Sequence, residues 1–448
     1  MVGGLPSTHF NGELEINGVS TDSRNMQAGQ LYVPLVGEKF DGHDFVGDVC
    51  NKGVACLLWQ KNHGPAPADV SAIIVEDTLV ALQQLAAAYR QQLPLKVIGI
   101  TGSNGKTTTK DMVAAIAATT YRVHKTAGNF NNHIGLPLTI LSMDEQCEVL
   151  ILEMGMSGFG EIEQLSLIAR PDAAVITIIG ESHMLQLGSR KGIAQAKMEI
   201  VAGLKPGGLL VVPGNEPLLQ ERIEAQGLAE KFEIVRFGEH SLHDLYLTGV
   251  MVQAEHTSFT INLNDQVYSV PMAGEHNAYN ALAAIAIGNW LQVNPEQAKF
   301  GLKQMVPTGM RMEVVKTATG LTVMNDAYNA SPTSMKAAIA WIGMLKGYRR
   351  KFVVLGDMLE LGPDAEMFHR EIGRMLTPHV VDAVLTYGPQ AAWIAEEAKA
   401  NFADANVQHL EDHAAIADLI RQFSNEQDIV LIKASRGMKM EQVIAFLK

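Results

Sequence analysis

The chain of 448 residues contains little cysteine and no long apolar run. Its three cysteines, Cys50, Cys56 and Cys147, lack the paired spacing of a metal-binding motif, and so sparse and odd a set predicts reduced thiols in a cytoplasm. No apolar stretch is long enough to span a bilayer, and the opening MVGGLPSTHF lacks the basic region and apolar core of a secretion signal. We therefore expect a cytoplasmic protein that does not enter a membrane.

Basic residues are outnumbered: 35 lysines and arginines against 48 acidic residues give a formal net charge of -13. A protein this acidic is a poor candidate for unspecific binding to nucleic acid or to an anionic membrane surface. A local anion-binding site is still compatible with that charge. The length suffices for two to four domains, and 47% hydrophobic with 19% charged residues is ordinary for a globular protein.

The most informative stretch is VIGITGSNGKTTTKDMVAAIAA, in which an apolar run, a Gly-rich turn and a helical pattern follow one another. The glycines let several backbone N–H groups point at one anion, and the helix start adds partial positive charge. Lys106 can reach the terminal phosphates of a nucleotide, and the Thr107 hydroxyl can hold Mg²⁺. The residues expected to bind the nucleotide here are Gly102, Ser103, Asn104, Gly105, Lys106, Thr107 and Thr108.

The spacing of this loop departs from G-x-x-x-x-G-K-[ST], because Ile100 stands five residues before Gly105. The alternative, a Gly-rich turn with a surface lysine, leaves the coincidence of strand, glycines, Lys-Thr and helix unexplained.

Three regions of different pattern follow one another along the chain. Residues 1–93 alternate short strands with turns, whereas apolar strands and helical patterns alternate in 94–308 and again in 309–448. Such alternation is typical of an α/β fold with a mostly parallel sheet. We predict an α/β protein with these three domains: an N-terminal domain, a central P-loop domain that carries the nucleotide and a Rossmann-like C-terminal domain. Hinges are expected near Pro94 and residues 307–309.

Three further side chains in the central region could contribute to a phosphate site. Glu153 ends an apolar strand, where parallel sheets place ligands, and its carboxylate would suit Mg²⁺. His183 follows another apolar strand. Lys197 lies in a helical pattern, where a partly desolvated amine could react with carbon dioxide to form an anionic carbamate. Each of the three also fits an ordinary capping or surface role, and the residues alone do not decide.

Polar side chains farther along the chain could complete a nucleotide site. Asn277 and Asn280 share one helical face, and their amides match the donor and acceptor edge of adenine, although capping of the helix start explains them too. Arg311 stands beside the second hinge and could reach a phosphate after closure. Asp326 follows a strand and could bind ribose hydroxyls, or simply belong to a turn.

In combination these strings resemble the Mur ligases, ATP-dependent enzymes that form amide bonds in peptidoglycan precursors. The resemblance rests on GVSTDSR with FDGHDF, TGSNGKTTTK, GNFNNHIGLPLT, NDAYNASPTSM and VLGDMLELG, in family order over nearly the whole chain. The family's loop form, T-G-x-N-G-K-T, accounts for the unusual spacing. The last three strings resemble the branch that joins D-alanyl-D-alanine to UDP-N-acetylmuramoyl-tripeptide through an acyl phosphate.

The resemblance implies ATP and Mg²⁺ as cofactors and gives roles to individual residues. It implies that Lys106, Glu153, His183 and a carbamylated Lys197 are catalytic, with the last three and Thr107 near the metal. It places Asn277 and Asn280 at adenine, Arg311 at a phosphate and Asp326 at ribose. The residues that it places near the UDP-linked peptide or the dipeptide are Ser23, Arg24, Asn129, Asn131, Asn132, Tyr328, Asn329 and Ser331.

The chain departs from the family pattern in GESHMLQLGSR, in NASP and in KASRGMKM, where Ala434 stands in place of a glycine among Lys433, Ser435 and Arg436. A little of the usual leading strand and helix is expected to be missing before the first motif. Two alternatives stay open. One is a related ligase that adds a diamino acid, against which the lack of a D-N-P-R-like motif argues. The other is a P-loop ATPase or regulator. We expect small-molecule substrates as partners, with neither nucleic acid nor a membrane among them. We also expect the protein to be a monomer.

Overall fold

Three separate β-sheets organise the computed structural model, which describes residues 2–7, 10–253 and 255–448. The strands are β1 (Leu5–Pro6), β2 (Val19–Ser20), β3 (Leu31–Tyr32), β4 (Cys56–Gln60), β5 (Ser71–Val75), β6 (Lys96–Thr101), β7 (Val123–Lys125), β8 (Val149–Glu153), β9 (Ala173–Ile176), β10 (Leu209–Pro213), β11 (Glu233–Gly238), β12 (Leu245–Val252), β13 (Thr257–Ile261), β14 (Asn264–Val270), β15 (Glu313–Lys316), β16 (Thr322–Asp326), β17 (Lys351–Gly356), β18 (Ala383–Tyr387), β19 (Val407–Leu410) and β20 (Ile429–Lys433).

Helices cover these sheets. They are α1 (Val46–Asn51), α2 (Thr78–Gln92), α3 (Lys106–Ala117), α4 (Gly135–Leu141), α5 (Glu161–Ala169), α6 (Met184–Leu187), α7 (Arg190–Met198), α8 (Pro217–Ala225), α9 (His276–Trp290), α10 (Pro295–Gln304), α11 (Pro332–Met344), α12 (Ala365–Met375), α13 (Ala392–Ala398), α14 (His413–Phe423) and α15 (Glu441–Leu447).

The N-terminal sheet has the order β1-β5-β4-β3-β2, and only β1 runs antiparallel to its neighbour. Strand β4 alternates its side chains between two small apolar clusters, because neighbouring residues of a strand face opposite sides. Helix α2 begins where the Asp77 carboxylate accepts a hydrogen bond from the Val80 N–H at 2.9 Å. It ends at Gln92, shortly before Pro94, because proline cannot continue the helical hydrogen bonds.

The central sheet has nine strands in the order β14-β13-β12-β11-β10-β9-β6-β8-β7. It is parallel from β7 to β12, and every residue of β8 and β10 is buried because helices cover both faces. One face packs on α3, α9 and α10, and the other on α4, α5, α7 and α8. The carboxyl ends of β6, β8 and β9 meet at one edge of this sheet.

The C-terminal sheet has the order β15-β16-β20-β17-β18-β19, and only β15 is antiparallel. Helices α11, α12 and α13 pack on one face, while α14 and α15 pack on the other. Strands β16 and β20 are neighbours, and their last residues, Asp326 and Lys433, lie opposite each other. This register brings two charged side chains to the edge that faces the central domain.

The predicted fold class, three α/β domains with mostly parallel sheets, is confirmed. The exact limits at residues 93 and 308 stay a prediction. The sequence analysis missed the antiparallel extension β12 to β14. None of the described helices combines the length and apolarity that crossing a membrane requires.

Candidate active site

A cavity of about 880 Å³ lies where the carboxyl edge of the central sheet meets the C-terminal domain. It brings together most of the residues that the sequence analysis singled out, although they are far apart in the chain. The predicted residues that line it are Ser103, Asn104, Gly105, Lys106, Thr107, Thr108, Asn131, Asn132, Glu153, His183, Asn277, Asn280, Arg311, Asp326, Tyr328 and Asn329. The central and C-terminal domains therefore form one shared pocket.

The phosphate loop (residues 102–108) connects β6 to α3, and two of its glycines have no room for a side chain. Gly102 has φ +146°, and a Cβ there would lie 1.9 Å from Oγ1 of Thr177. Gly105 has φ +81°, and a Cβ there would lie 2.5 Å from Oδ1 of Asn280. The loop thus needs glycine for its backbone conformation and for its close approach to Thr177, the residue after β9, and to α9.

Lys106, the first residue of α3, is folded against the phosphate loop. Its Nζ donates hydrogen bonds to the carbonyl oxygens of Gly102 at 2.7 Å and Ser103 at 3.2 Å. Burial lowers the pKa of Lys106; the Glu153 carboxylate opposes this shift, and the Arg311 charge adds to it. The amine lies at the helix N-terminus, where an anionic phosphate would be stabilised.

Glu153 stands at the centre of a small oxygen-rich cluster. Its Oε2 accepts a hydrogen bond from the Thr107 hydroxyl at 2.8 Å, and its Oε1 accepts one from Nδ2 of Asn131 at 2.8 Å. Two oxygen ligands on adjacent corners of a Mg²⁺ octahedron lie about 3 Å apart. The Thr107 and Glu153 oxygens therefore already have a separation that suits Mg²⁺.

Lys197 lies in α7, is 1% exposed and is not part of the cavity lining. Within the described residues its amine forms no ion pair. Burial lowers the pKa of Lys197 well below its ordinary value, and the nearby charge of Lys106 acts in the same direction. The neutral amine is the form that can add carbon dioxide, so this environment suits the carbamate that the family resemblance implies.

His183 lines the cavity, but its ring contacts the C-terminal domain. Its backbone has φ +66°, and its Nδ1 lies 2.6 Å from Oε2 of Glu360. The backbone N–H of Leu185 also donates to the Glu360 carbonyl at 3.1 Å. Sequence reasoning missed Glu360, which lies in the VLGDMLELG motif and faces the central domain here.

The two asparagines predicted to recognise adenine form local hydrogen bonds at the start of α9. Nδ2 of Asn277 donates to the Ala273 carbonyl at 2.7 Å, and Nδ2 of Asn280 donates to Oδ1 of Asn277 at 3.3 Å. Asn280 also packs on Gly105 of the phosphate loop. Their adenine role stays a prediction.

In the C-terminal domain, Asp326 is already paired. Its Oδ2 lies 2.6 Å from Nζ of the buried Lys433, and its Oδ1 accepts a hydrogen bond from the Met312 N–H at 3.2 Å. The guanidinium carbon of Arg311 lies 4.1 Å from the centre of the Tyr328 ring. Nε of Arg311 is buried without a hydrogen-bond partner among the described residues, which costs about 1–3 kcal/mol in general and which an anionic ligand would relieve.

Besides the bond between Leu185 and Glu360, two further hydrogen-bonded contacts join the central and C-terminal domains at the cavity. Nδ2 of Asn104 donates to the Ser331 hydroxyl at 3.0 Å, and that hydroxyl also caps α11. The Thr333 hydroxyl donates to Oε2 of Glu181 at 2.6 Å. Sequence reasoning missed Glu181 and Thr333, although the position of Glu181 just after β9 is a signal that could have found it.

The cavity lining does not include five other predicted residues: Ser23, Arg24, Gly102, Asn129 and Ser331. Arg24 is exposed in the N-terminal domain, and its guanidinium contacts both carboxylate oxygens of Asp22 at 2.9 Å. Nζ of Lys52 donates to the carbonyl oxygens of Ser23 at 2.7 Å and Arg24 at 2.9 Å. Their substrate role stays a prediction.

Asp41, His43 and His63 of the N-terminal domain form a separate cluster of groups that can ligate metals. Nε2 of His43 accepts the Gln60 N–H at 3.3 Å, so Nδ1 of the neutral ring carries the proton and donates it to Asp41 at 2.6 Å. A metal ligand needs a free lone pair, which the protonated Nδ1 of His43 lacks. We therefore interpret the cluster as an internal hydrogen-bond network.

Three family models match consecutive parts of the chain. They are "Mur ligase family, catalytic domain" at residues 15–90, "Mur ligase middle domain" at 100–288 and "Mur ligase, glutamate ligase domain" at 310–436. The UDP-N-acetylmuramoyl-tripeptide–D-alanyl-D-alanine ligase of Bacillus subtilis is 51% identical over 429 residues, covering 96% of this chain and 92% of that protein.

Solved structures give the same result. A crystal structure of MurF from Acinetobacter baumannii matches with a TM-score of 0.89 and 32% identity, covering 99% of this chain and 96% of that chain. The MurF ligase of Thermotoga maritima in complex with ADP matches with a TM-score of 0.84 and 28% identity, covering 98% of both chains. Identity over nearly the full length and the matching three-domain structure agree, and the chain belongs to the Mur ligase family.

Proposed function

We propose that this protein joins D-alanyl-D-alanine to UDP-N-acetylmuramoyl-tripeptide at the expense of ATP, in peptidoglycan precursor synthesis. The observation that carries the proposal is the 51% identity, over 96% of the chain, to the Bacillus subtilis ligase of that name. The phosphate loop, the Thr107–Glu153 pair and Arg311 around one cavity support it. The proposal includes that the enzyme acts as a monomer in the cytoplasm.

The chemical difficulty is that a peptide carboxylate must approach a polyanionic triphosphate. ATP supplies the phosphoryl group that turns the carboxylate into an acyl phosphate, and Mg²⁺ neutralises charge when it is bound. In this chain Lys106 and the N-terminus of α3 would stabilise the phosphate oxygens. Thr107 and Glu153 would hold Mg²⁺, with His183 and a carbamylated Lys197 near it. Arg311 would add positive charge from the C-terminal domain.

The proposal assigns the other predicted site residues to orienting the substrates and excluding water. The amine of the dipeptide attacks the acyl carbon, and phosphate leaves. Because an acyl phosphate hydrolyses readily, the pocket must close around it. The contacts of Asn104 with Ser331 and of Glu181 with Thr333 join the two domains beside the pocket and would help to close it. Asn277 and Asn280 would face adenine, and Asp326 would face ribose.

Phosphate release tests this function directly. We expect purified protein with ATP, Mg²⁺ and UDP-N-acetylmuramoyl-tripeptide to release phosphate only when D-alanyl-D-alanine is added, with formation of the pentapeptide product. The control for a related ligase offers lysine or diaminopimelate together with the UDP-linked precursor that carries two amino acids instead of three. Release that is indifferent to the dipeptide would contradict the proposal and favour an ATPase.

Replacement of Lys197 by alanine tests the carbamate. We expect ligation to fall by about 10- to 100-fold, as for the loss of a group that supports a metal ligand. Added acetate or formate should restore part of the rate, because a short carboxylate can enter the space left by the side chain. Lys191→Ala on the same helix, whose amine contacts the exposed Glu221, is the matched control and should show neither loss nor rescue.

A further inference from the structure

The segment that connects the central and C-terminal domains is anchored on the helix of the phosphate loop. Met305 belongs to the central apolar core and Met312 to the C-terminal one, so the chain passes between them over residues 306–311. Within this crossing, Thr308 donates two hydrogen bonds to Oδ2 of Asp111. Its hydroxyl lies at 2.7 Å and its N–H at 3.1 Å.

Asp111 lies in α3, five residues after Lys106, and its side chain is 2% exposed. Its other oxygen, Oδ1, lies 2.6 Å from Nζ of Lys125 and 3.6 Å from Nζ of Lys110. Burial raises the pKa of Asp111, but the Lys110 charge and the hydrogen bonds from Lys125 and Thr308 outweigh it, so the pKa lies below its ordinary value. The carboxylate is therefore a fixed, charged acceptor.

This anchor is also linked to the proposed metal site. Nζ of Lys110 donates to the Thr126 carbonyl at 2.9 Å, and the Thr126 hydroxyl accepts the backbone N–H of Glu153 at 3.0 Å. Asp111, Lys110, Thr126 and Glu153 thus form one continuous polar chain inside the central domain.

On the other side of Thr308, the backbone around Arg311 is unusual. Met310 has φ +60° and Met312 has φ +51°, both in the left-handed region that residues other than glycine seldom adopt. The C-terminal domain holds both residues: the Met310 carbonyl accepts the Tyr328 N–H at 3.2 Å, and the Met312 N–H donates to Asp326 at 3.2 Å. Arg311 follows Thr308 by three residues, a stretch of chain that spans at most about 10 Å, so the bond from Thr308 to Asp111 limits how far Arg311 and the segment around it can lie from α3.

We propose that Asp111 is a positioning residue for phosphoryl transfer: through Thr308 it fixes the strained segment 310–312 so that Arg311 faces the phosphate loop. This inference rests on the proposed function, because it takes Arg311 as a phosphate contact. The buried Nε of Arg311 lacks a partner among the described residues, and this arrangement leaves it available to donate a hydrogen bond to a phosphate. Asp111 itself is not among the residues that line the cavity, so it acts through Thr308.

The test is Thr308→Val, which keeps the shape and the backbone N–H but removes the hydroxyl. We expect kcat to fall about 10- to 100-fold, as small misplacements of a catalytic group do, with KM for the UDP-linked substrate nearly unchanged. The matched control is Thr317→Val, because among the described residues the hydroxyl of the buried Thr317 bonds only to Thr319, at 2.9 Å, in its own turn. Asp111→Asn, as a second variant, should lower kcat in the same way.

A double-mutant cycle with Arg311→Ala separates positioning from a general loss of structure. If Thr308 acts through Arg311, Thr308→Val should change kcat and ATP affinity by less than about twofold once Arg311 is gone. Equal losses in both backgrounds, or no loss from Thr308→Val alone, would overturn the positioning role. ATP affinity is measured by titration calorimetry on all four proteins. A wild type without dipeptide-dependent turnover would instead overturn the proposed function, whatever the cycle shows.

Discussion

Lys106→Ala is expected to lower kcat for ligation about 10²- to 10³-fold, which corresponds to about 3–4 kcal/mol of transition-state stabilisation. The amine lies at the N-terminus of α3 inside the cavity, held by two carbonyl oxygens of the phosphate loop at 2.7 and 3.2 Å. Both acceptors are neutral carbonyl oxygens, which anionic phosphate oxygens can replace as partners of the amine. Initial rates of dipeptide-dependent phosphate release, at saturating substrates, measure the loss.

The same variant should bind UDP-N-acetylmuramoyl-tripeptide almost as tightly as the wild type, because Ser23 and Arg24 lie in the N-terminal domain outside the cavity lining. Isothermal titration with the UDP-linked substrate alone provides that comparison. Lys303→Ala, at the exposed end of α10, controls for the loss of one positive charge. A parallel loss of substrate affinity and turnover in Lys106→Ala would show that Lys106 supports the fold or both sites, and the phosphate role would be withdrawn.

The sequence predicts the conformation of the Gly-rich loop well because its parts are local; that the loop binds phosphate stays a prediction. Strand, glycines, Lys106 and Thr107 are contiguous, and the physical requirement for glycine at 102 and 105 is visible in the motif itself. Glu153 could also be predicted, since a carboxylate at the end of an apolar strand must reach the carboxyl edge of a parallel sheet. The bond from Thr107 to Glu153 follows from β6 and β8 being neighbours.

Contacts between domains, and between a domain and the segment that connects it to the next, could not be predicted from the sequence. Glu360 meets His183, Thr333 meets Glu181, and Asp111 meets Thr308, each pair separated by more than a hundred positions in the chain. Nothing in a strand or helix pattern states which faces of two domains approach each other.

The hairpins from β12 to β14 were missed for a local reason. Their partly exposed residues lack the continuous apolar runs of the parallel strands.

Glu153→Gln is expected to raise the Mg²⁺ concentration needed for half-maximal ligation by about 10- to 100-fold or more, and to lower kcat at saturating Mg²⁺. The amide keeps the volume of the carboxylate in a position that is 2% exposed. Its oxygen can still accept from Asn131, and its NH₂ can donate to the Thr107 hydroxyl, so the local hydrogen bonds are kept while the charge is lost. The measurement is the initial rate as a function of Mg²⁺ at fixed ATP.

The control for this substitution is Glu145→Gln, which removes one carboxylate from an exposed loop before β8 and should leave the Mg²⁺ dependence unchanged. Thermal unfolding of both variants shows whether the buried amide is tolerated. If Glu153→Gln unfolds like the wild type and keeps its Mg²⁺ dependence, the carboxylate is not a metal ligand. Glu153 would then act only by orienting Thr107 and Asn131, and the Mg²⁺ would have to be held by Thr107, the phosphates and the groups around His183 and Lys197.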